Sequence, residues 1–508
     1  MGIRRSLHAS LCSTRYMKYL PASLFLWFTA VSLLPAAEKE PEKKWNVVLI
    51  LADDMANTMS CIGTPGLATP ALDRLSREGT RFTRAYAAAS VCAPSRGAIL
   101  TGMYPHSNGL WRNTQNGGID FPEAAEKPEK PVPVRAAILE NIPTLPELLR
   151  DRGYFTAITQ KGHLQPAWKF PFDQGFDYHQ KPEDYRRLAG EVKAAAAGKP
   201  FFIMANISSP HRPYRIQFLA NQLPPDGPRK IDRAAIKLPA WLPDTPIVRD
   251  DFAQFLEATQ ITDDCVAAVL EGLKESGLAE QTLVIFTSDN GMPYHRAKGA
   301  GYIASMHMPL IIRGPGVRPD QIVAAPVSHI DLAPTILELT RIPAPPTMQG
   351  RSLWPLLDGS KPAFPERPTI LVPNSEHGLS RAVSDGRFYY IRNHEKPKGT
   401  LKKPPFNADV EQGKGWGNRA YGETLAAEGT QAHKMLAQFV SGTIPDEELY
   451  EIENDPDCMN NLFSVPELAS TLTELRKAER DWVRITDDRD SHAGLIKKFP
   501  NPVGKVIP

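Results

Sequence analysis

The residues best suited to do chemistry lie in one short segment, residues 91–102. Cys92 is followed by Pro94 and Arg96, and then by an apolar run that ends at Gly102. Pro94 suits the first turn of a helix, because the first helical N–H groups need no intrahelical acceptor. Cys92 is therefore predicted to lie at a helix N-terminus, where it faces free N–H groups and the positive end of the helix dipole. Such a position favours an anion or a reactive group, although a single cysteine is more often a buried structural residue.

Two acidic segments are candidates for a metal site. Asp53 and Asp54 follow one apolar run, and Asp289 and Asn290 follow another much later in the chain. Carboxylate and carboxamide oxygens are the ligands that Ca²⁺ and Mg²⁺ prefer, whereas zinc favours nitrogen and sulfur. Paired acids at a strand end also serve as helix caps or solvated loop residues, so the pairs alone leave both interpretations open.

Three cations and two histidines are candidates for acting on a charged substrate: Arg96, Lys161, Lys298, His163 and His211. Cationic groups in a dry cleft stabilise the charge that develops when an anionic ester is cleaved. Imidazoles exchange protons near neutral pH and can assist a leaving group. Taken singly, each of these residues is more often a solvated charge or a structural histidine.

Residues 92–102 match the signature of the type I sulfatases, Cys-x-Pro-Ser-Arg followed by Leu-Thr-Gly, and the chain therefore resembles that family. The resemblance implies that Cys92 is oxidised after synthesis to formylglycine, whose hydrate is the nucleophile. It also implies one calcium ion per chain. The ligands carried over by resemblance are Asp53, Asp54, Asp289, Asn290 and the modified Cys92.

The same resemblance gives roles to the cations and histidines. It places Arg96 beside the formylglycine, Lys161 and His163 on a Lys-x-His loop, and Lys298 on the loop after the second acidic segment. One of His163 and His211 assists release of the sulfate and the other holds or protonates the leaving group, and the sequence leaves their order open. The implied reaction has two steps, in which one hydroxyl of the hydrate attacks sulfur and the second is then deprotonated to expel sulfate.

Three segments, residues 210–212, 238–246 and 291–293, are similar to the heparan N-sulfatase (sulfamidase) branch. The resemblance thus favours a sulfated saccharide of the N-sulfoglucosamine type as substrate. The chain departs from the family at Gln160, where glycine is common, and from the branch at Ser209, where an acid is usual. Four residues are candidates for contacting the sugar: Arg212, Glu376, His377 and Arg381.

The elements that must position these residues alternate along the chain. Apolar runs predict strands at 47–51, 154–159, 201–207, 282–286 and 310–312. Helical spacing predicts intervening helices, the longest over residues 251–276. The alternation predicts an α/β fold with a large, mostly parallel sheet sandwiched by helices, and polar residues follow strand after strand at the edge where such sheets bind ligands. The resemblance to the type I sulfatases implies that this arrangement is the alkaline-phosphatase-like sulfatase fold.

The chain is predicted to contain an export signal and two domains. Basic residues precede an apolar run that ends in small residues, which predicts a signal peptide over residues 1–37, with an uncleaved anchor as the alternative. We predict a catalytic domain over residues 45–366. A smaller α+β subdomain is expected over residues 367–508, where the strands become hairpin-like. The mature protein is expected in the periplasm or outside the cell.

The composition narrows the functional classes. A formal net charge of +2 over 508 residues argues against a nucleic-acid binder with a broad basic face. Apart from Cys12 in the predicted signal, the cysteines at 61, 92, 265 and 458 are too scattered for a disulfide framework or a zinc cluster. The expected partners are a sulfated saccharide and the enzyme that generates formylglycine, with no stable membrane insertion.

Three alternatives stay open at this stage. The first is an O-sulfatase that acts on another sulfated polysaccharide. The second is a phosphodiesterase or phosphonate hydrolase of the same superfold, although such enzymes usually favour transition metals with more histidine ligands than the oxygen-only set here. The third is a non-catalytic protein that binds sulfated glycans while Cys92 stays a thiol.

Overall fold

The computed structural model describes residues 44–114, 136–178, 181–214, 229–361, 369–371, 374–375, 378–399, 408–409, 414–415, 418–488 and 492–498. The described residues from Lys44 onward form one compact unit. The predicted signal peptide, Glu376 and His377 lie outside the described residues. Residues 362–368 do as well, so the domain boundary near residue 367 stays a prediction.

The main sheet contains nine strands among the described residues. They are β1 Asn46–Ala52, β2 Thr80–Tyr86, β3 Phe155–Thr159, β4 Gln174–Phe176, β5 Phe201–Ile207, β6 Thr282–Ser288, β7 His307–Arg313, β8 Gln321–Val323 and β9 Val327–Ser328. Their order across the sheet is β4-β3-β5-β1-β6-β7-β2-β8, and β9 pairs with β2. The sheet is mostly parallel as predicted, but β7 runs antiparallel to both β6 and β2.

The described helices are α1 Pro70–Glu78, α2 Cys92–Thr101, α3 Pro105–Asn108, α4 Leu145–Arg150, α5 Pro182–Ala196, α6 Pro246–Glu275, α7 Ile303–Met306, α8 Leu332–Leu339, α9 Trp354–Leu357, α10 Asn418–Ala426, α11 Gln431–Ser441, α12 Ala469–Thr486 and α13 His492–Lys498. The longest, α6, begins five residues before its predicted start, because Thr245 accepts a hydrogen bond from the backbone of Val248 and Pro246 occupies the first turn. Among the described helices, none combines the length and apolar character that crossing a bilayer requires.

A second, antiparallel sheet lies in the C-terminal part. Its strands are β10 Thr369–Leu371, β11 Asn374–Ser375, β12 Gly378–Ser384, β13 Phe388–Glu395 and β16 Glu447–Glu451, and a separate hairpin joins β14 Ala408–Asp409 to β15 Lys414–Gly415. The strands of this sheet pair antiparallel, as expected for hairpin-like connections. The prediction of a large α/β sheet followed by a smaller α+β part is confirmed.

The central strands of the main sheet determine where the candidate site residues lie. Strand β1 is buried along its whole length, and its side chains alternate between two apolar clusters on opposite faces of the sheet. It pairs in parallel with β5 on one side and β6 on the other, with Leu51 opposite Asn206 and Ala52 opposite Ser288. The loops that leave these three strands therefore start at the same edge of the sheet.

Candidate active site

The predicted nucleophile is the first residue of a helix. Helix α2 begins at Cys92 after the extended residue Val91, whose side chain offers no cap. Asn113 takes over that function, because its Oδ1 accepts a hydrogen bond from the Ala93 N–H at 3.1 Å. The helix ends at Gly102, which has a left-handed conformation (φ 63°). Cys92 itself is 2% exposed, so the helix presents its first side chain to an enclosed space.

Two carboxylates and two ammonium groups surround the Cys92 sulfur. Sγ lies 3.6 Å from Asp53 Oδ1 and 3.9 Å from Asp54 Oδ1. The Nζ atoms of Lys161 and Lys298 lie 3.6 and 3.5 Å from the same sulfur. Burial raises the pKa of the thiol to about 12 even though both lysines oppose the rise. An unmodified Cys92 is therefore a protonated thiol and a weak nucleophile.

The four predicted oxygen ligands come together at the edge of the sheet. Asp53 and Asp54 follow β1, Asp289 and Asn290 follow β6, and all four are at most 1% exposed. The Asp54 N–H donates to Asp289 Oδ1 at 3.1 Å, which fixes the two loops against each other. Burial and the neighbouring charge of Asp53 raise the pKa of Asp289 to about 6. The acids are thus close enough to repel one another, which favours a cation between them.

Each predicted cation is paired with one of these acids. Lys161 Nζ lies 2.7 Å from Asp53 Oδ2, and Lys298 Nζ lies 2.5 and 2.7 Å from the two Asp54 oxygens. Arg96 donates through Nε to Asp289 Oδ2 at 2.9 Å and is 1% exposed in its side chain. Burial alone would raise the pKa of Asp53, but the charges of Lys161, Arg96 and Lys298 hold it well below its usual range.

The donor set fits a hard divalent cation. Asn290 Oδ1 is buried and has no hydrogen-bond partner among the described residues, so an acceptor is left for an ion. Ligand atoms of Asp53, Asp54, Cys92 and His211 all lie within 4.8 Å of one another. Apart from the sulfur and the imidazole at its margin, the set consists of oxygens, as calcium requires.

The two histidines differ in exposure and in hydrogen bonding. His163 is buried, has a left-handed backbone (φ 56°), and its Nδ1 has no partner within the described part of the chain. Burial lowers the pKa of His163 well below its usual value. His211 Nδ1 donates to the carbonyl of Arg212, so in the neutral ring Nε2 is unprotonated. That Nε2 lies 3.7 Å from Asp54 Oδ2, and the His211 side chain is 37% exposed.

The candidates for sugar contact are placed differently from the catalytic set. Arg212 is buried against Asp251, with Nη1 and Nη2 donating at 2.9 and 2.6 Å. Arg381 does not reach the site, because its fully buried guanidinium pairs with Asp488 and faces Trp482. A buried side chain in such a pair is not available to a sugar, which corrects the expectation for Arg381.

Two polar residues of the site were not predicted from the sequence. Asn206 Oδ1 accepts from Arg96 Nη1 at 2.9 Å, and Ser288 Oγ accepts from the Met55 N–H at 2.9 Å. Asn206 interrupts the apolar run of β5, and Ser288 ends β6 after its apolar run, so each is an interruption or end of such a run. That interruption is the one local signal that marks them, because buried polar side chains need partners.

Comparison with known proteins identifies the family. The sulfatase family model matches residues 45–342, more than half of the chain. The chain belongs to the sulfatase family. An ulvan-active sulfatase of Formosa agariphila is 28% identical over 492 residues, covering 91% of this chain and 79% of that protein. The N-sulphoglucosamine sulphohydrolase of Homo sapiens is 28% identical over 484 residues, covering 87% of this chain and 90% of that protein.

Solved structures agree with the sulfatase assignment at the level of fold. A protein solved in complex with its substrate, D-glucosamine-2-N,6-O-disulfate, matches with a TM-score of 0.61 and 19% sequence identity. The match covers 89% of this chain and 100% of that structure. The predictions of a sulfatase fold and of a sulfatase-type hydrolase are confirmed.

Proposed function

We propose that this sulfatase removes sulfate from sulfated saccharides, using formylglycine made from Cys92 and one calcium ion. The observation that carries the proposal is the convergence on Cys92 Sγ of two carboxylates and two ammonium groups, all within 4 Å. The first residue of a helix held in this way suits a reacting group that must face an anion. An accessory structural cysteine would not need this concentration of buried charge.

Different residues of the chain have different roles in the proposed reaction. When bound, calcium supplies positive charge beside residue 92, held by Asp53, Asp54, Asp289 and Asn290, and the formylglycine hydrate supplies the attacking hydroxyl. Lys161 and Lys298 lie where they stabilise negative charge on sulfate oxygens. Arg96 holds Asp289 and reaches Asn206, and so keeps helix α2 in register with β5 and β6.

The geometry favours His211 as the proton carrier toward the leaving group. Its Nε2 faces the site and its side chain is partly exposed, whereas His163 is buried deeper. A neutral His211 would take up at Nε2 the proton that the attacking hydroxyl releases, and the protonated ring would donate it to the departing alcohol or amine. His163 is then left to act near residue 92, beside Lys161.

The favoured substrate class is a saccharide of the N-sulfoglucosamine type. Support comes from the sulfamidase-like segments of the sequence, from the human relative, and from the structure solved with a glucosamine 2-N,6-O-disulfate. The second candidate is an O-sulfatase that acts on a polysaccharide such as ulvan, because the relative in Formosa agariphila is named for that activity. Export to the periplasm or medium and maturation by a formylglycine-generating enzyme belong to the same proposal.

The test is the mass of the tryptic peptide that starts at Ala85 and ends at Arg96, from protein made in its native host. Formylglycine would make this peptide about 18 Da lighter than the cysteine form. The modified protein should then release sulfate from N-sulfoglucosamine, and hydrolysis of O-sulfated sugars alone would select the second candidate. A free thiol from the native host, with glycan binding but no release, would overturn the catalytic proposal.

A further inference from the structure

Arg212 directly follows His211, yet its guanidinium is committed to protein partners. Its side chain is 5% exposed and bound by both oxygens of Asp251 on helix α6. The guanidinium carbon also lies 4.3 and 4.7 Å from the ring centres of Tyr214 and Tyr294. Planar stacking combined with a two-point carboxylate bond holds an arginine in one orientation, which a lysine cannot reproduce.

On one side, Arg212 fixes the loop that carries His211. Its carbonyl accepts the hydrogen bond from His211 Nδ1, so the backbone of Arg212 selects the tautomer with Nε2 facing the acids. The same loop is fastened to α6 a second time, because Thr262 Oγ1 donates to the Ser209 carbonyl at 2.9 Å. A shift of Arg212 would therefore move the His211 ring and release its tautomer.

On the other side, Arg212 holds the loop that carries Lys298. Its Nε donates to the Pro293 carbonyl at 3.1 Å, and the neighbouring Tyr294 ring stacks on the guanidinium. The Lys298 N–H in turn donates to the Tyr294 carbonyl at 3.1 Å. The loop leaving β5 and the loop leaving β6 are thus tied to one guanidinium, which is itself anchored on α6.

We propose that Arg212 is a positioning residue that fixes the His211 imidazole and the Lys298 ammonium relative to each other beside Asp54. The inference rests on the proposed function, because it gives His211 and Lys298 their roles in sulfate removal. It replaces direct sugar contact, which the sequence predicted for Arg212, by an effect transmitted through two loops.

The first test is a double-mutant cycle between Arg212→Lys and His211→Ala. Misplacing a catalytic group by about 1 Å can cost on the order of 100-fold in rate. Arg212→Lys should therefore lower kcat about 10- to 100-fold with KM nearly unchanged, and by a clearly smaller factor when His211 is already alanine, because only the effect through Lys298 then remains. An equal loss in both backgrounds would overturn the proposal, as would a rise in KM alone, which would mark a substrate contact.

Arg233→Lys is the matched control. Arg233 also pairs with carboxylates of α6, Asp250 and Glu257, but none of its hydrogen bonds in the described structure goes to a catalytic loop. Because the Arg233 side chain is 37% exposed, Arg233→Lys should lose less stability than Arg212→Lys, and it should keep its kcat. If Arg212→Lys does not fold, Asp251→Asn loosens the same guanidinium while both side chains keep their shape.

A readout without turnover separates this inference from the proposed function. In ¹⁵N-histidine spectra, the His211 signals, assigned by their loss in His211→Gln, should show a protonated Nδ1 in the parent protein. In Arg212→Lys they should shift toward a mixture of tautomers, whether or not the protein hydrolyses any sulfate. Unchanged His211 signals in Arg212→Lys would overturn the positioning role even if the chain proves to be an active sulfatase.

Discussion

At the scale of single residues, the site balances buried acids against buried cations. Asp53 is held ionised by Lys161, Arg96 and Lys298, while burial and the charge of Asp53 raise the pKa of Asp289 to about 6. Two carboxylates with such different pKa values mark a place where one more positive charge would be accommodated. The unpaired, buried Oδ1 of Asn290 points to the same conclusion from hydrogen bonding.

The first prediction concerns calcium. Calcium should raise the free energy of unfolding by RT ln(1 + [Ca²⁺]/Kd), about 2.7 kcal/mol at a concentration 100 times Kd, if the unfolded chain does not bind it. Asn290→Ala should weaken this effect, because it removes the Oδ1 atom that has no hydrogen-bond partner in the described part of the chain. Urea unfolding with calcium and with EDTA measures both quantities. Equal stabilisation of the parent and the variant would exclude Asn290 as a ligand.

The second prediction concerns Cys92. Cys92→Ala should abolish sulfate release while leaving stability within about 3 kcal/mol, because a small buried side chain is replaced by a smaller one. Activity and urea unfolding are measured on the same preparation. Ala98→Gly in the same helix serves as a control that perturbs α2 without touching residue 92. Sulfate release by the alanine variant would end the proposed mechanism.

The sequence predicted the positions of some of these residues and missed those of others, for a physical reason. Cys92, Asp53 and Lys298 stand in short motifs whose spacing survives as local structure. The burial of Arg212 depends on Asp251, 39 residues away, and that of Arg381 on Asp488, 107 residues away. A long side chain reaches a partner that only the folded chain brings near, and local sequence carries no signal of it.

At the scale of elements, the site depends on strand ends and on helices packed against them. Strands β5, β1 and β6 deliver their loops to one edge, and α2 points its first residue at that edge. The apolar runs predicted these strands well, since burial on both faces leaves continuous hydrophobic sequence. They did not predict that β7 runs antiparallel, because an apolar run looks the same in either direction.

The third prediction tests how closely the loop after β6 is packed. A Cβ on Gly291 would lie 2.1 Å from the Ala304 carbonyl oxygen and 2.2 Å from that of Ala297. Both oxygens belong to the backbone, so Gly291→Ala must displace the chain. Overpacking typically costs 1–3 kcal/mol, and we expect the free energy of unfolding to fall by about 3 kcal/mol here. Calcium affinity should fall with it, because Asn290 is the preceding residue.

Gly190→Ala is the control for that experiment. Gly190 lies inside helix α5, and its Cβ would meet only Ser276 Oγ at 3.5 Å. Alanine should stabilise the helix by up to about 1 kcal/mol. If urea unfolding finds Gly291→Ala as stable as the parent, the loop is looser than its contacts indicate.

At the scale of the whole molecule, buried histidines join elements that lie far apart in the sequence. His106 on α3 contacts Trp482 of α12 edge to face and lies 3.7 Å from Asp488. His295 packs between Trp241 and Tyr421, which lies on α10. His329 bridges Ser95 of α2 and Thr287 of β6 at 3.2 and 3.1 Å. These contacts hold separate layers together with neutral rings, so their protonation would act on the entire fold.

The fourth prediction is a loss of stability in acid. Burial lowers the pKa of His106, His295 and His329 to about 3, although Asp488 opposes the shift at His106 and Arg296 adds to it at His295. The unfolded chain binds these protons near pH 6.5. Between about pH 6.5 and pH 3 unfolding therefore takes up protons, and stability falls as the pH falls. At pH 4 each histidine should lower the free energy of unfolding by on the order of 3 kcal/mol relative to neutral pH.

His295→Phe isolates one of these contributions. The phenyl ring keeps the edge-on contacts with Trp241 and Tyr421 and removes the titrating nitrogens. Urea unfolding from pH 7.5 to pH 4, with calcium held constant, should show a pH slope smaller by about one proton and little change at the upper end of the range. The variant should consequently be more stable than the parent at low pH, because the parent gains a proton on unfolding that phenylalanine cannot bind. An unchanged slope would mean that His295 is already protonated in the folded protein. The interpretation of His295 as a neutral ring between Trp241 and Tyr421 would then be wrong.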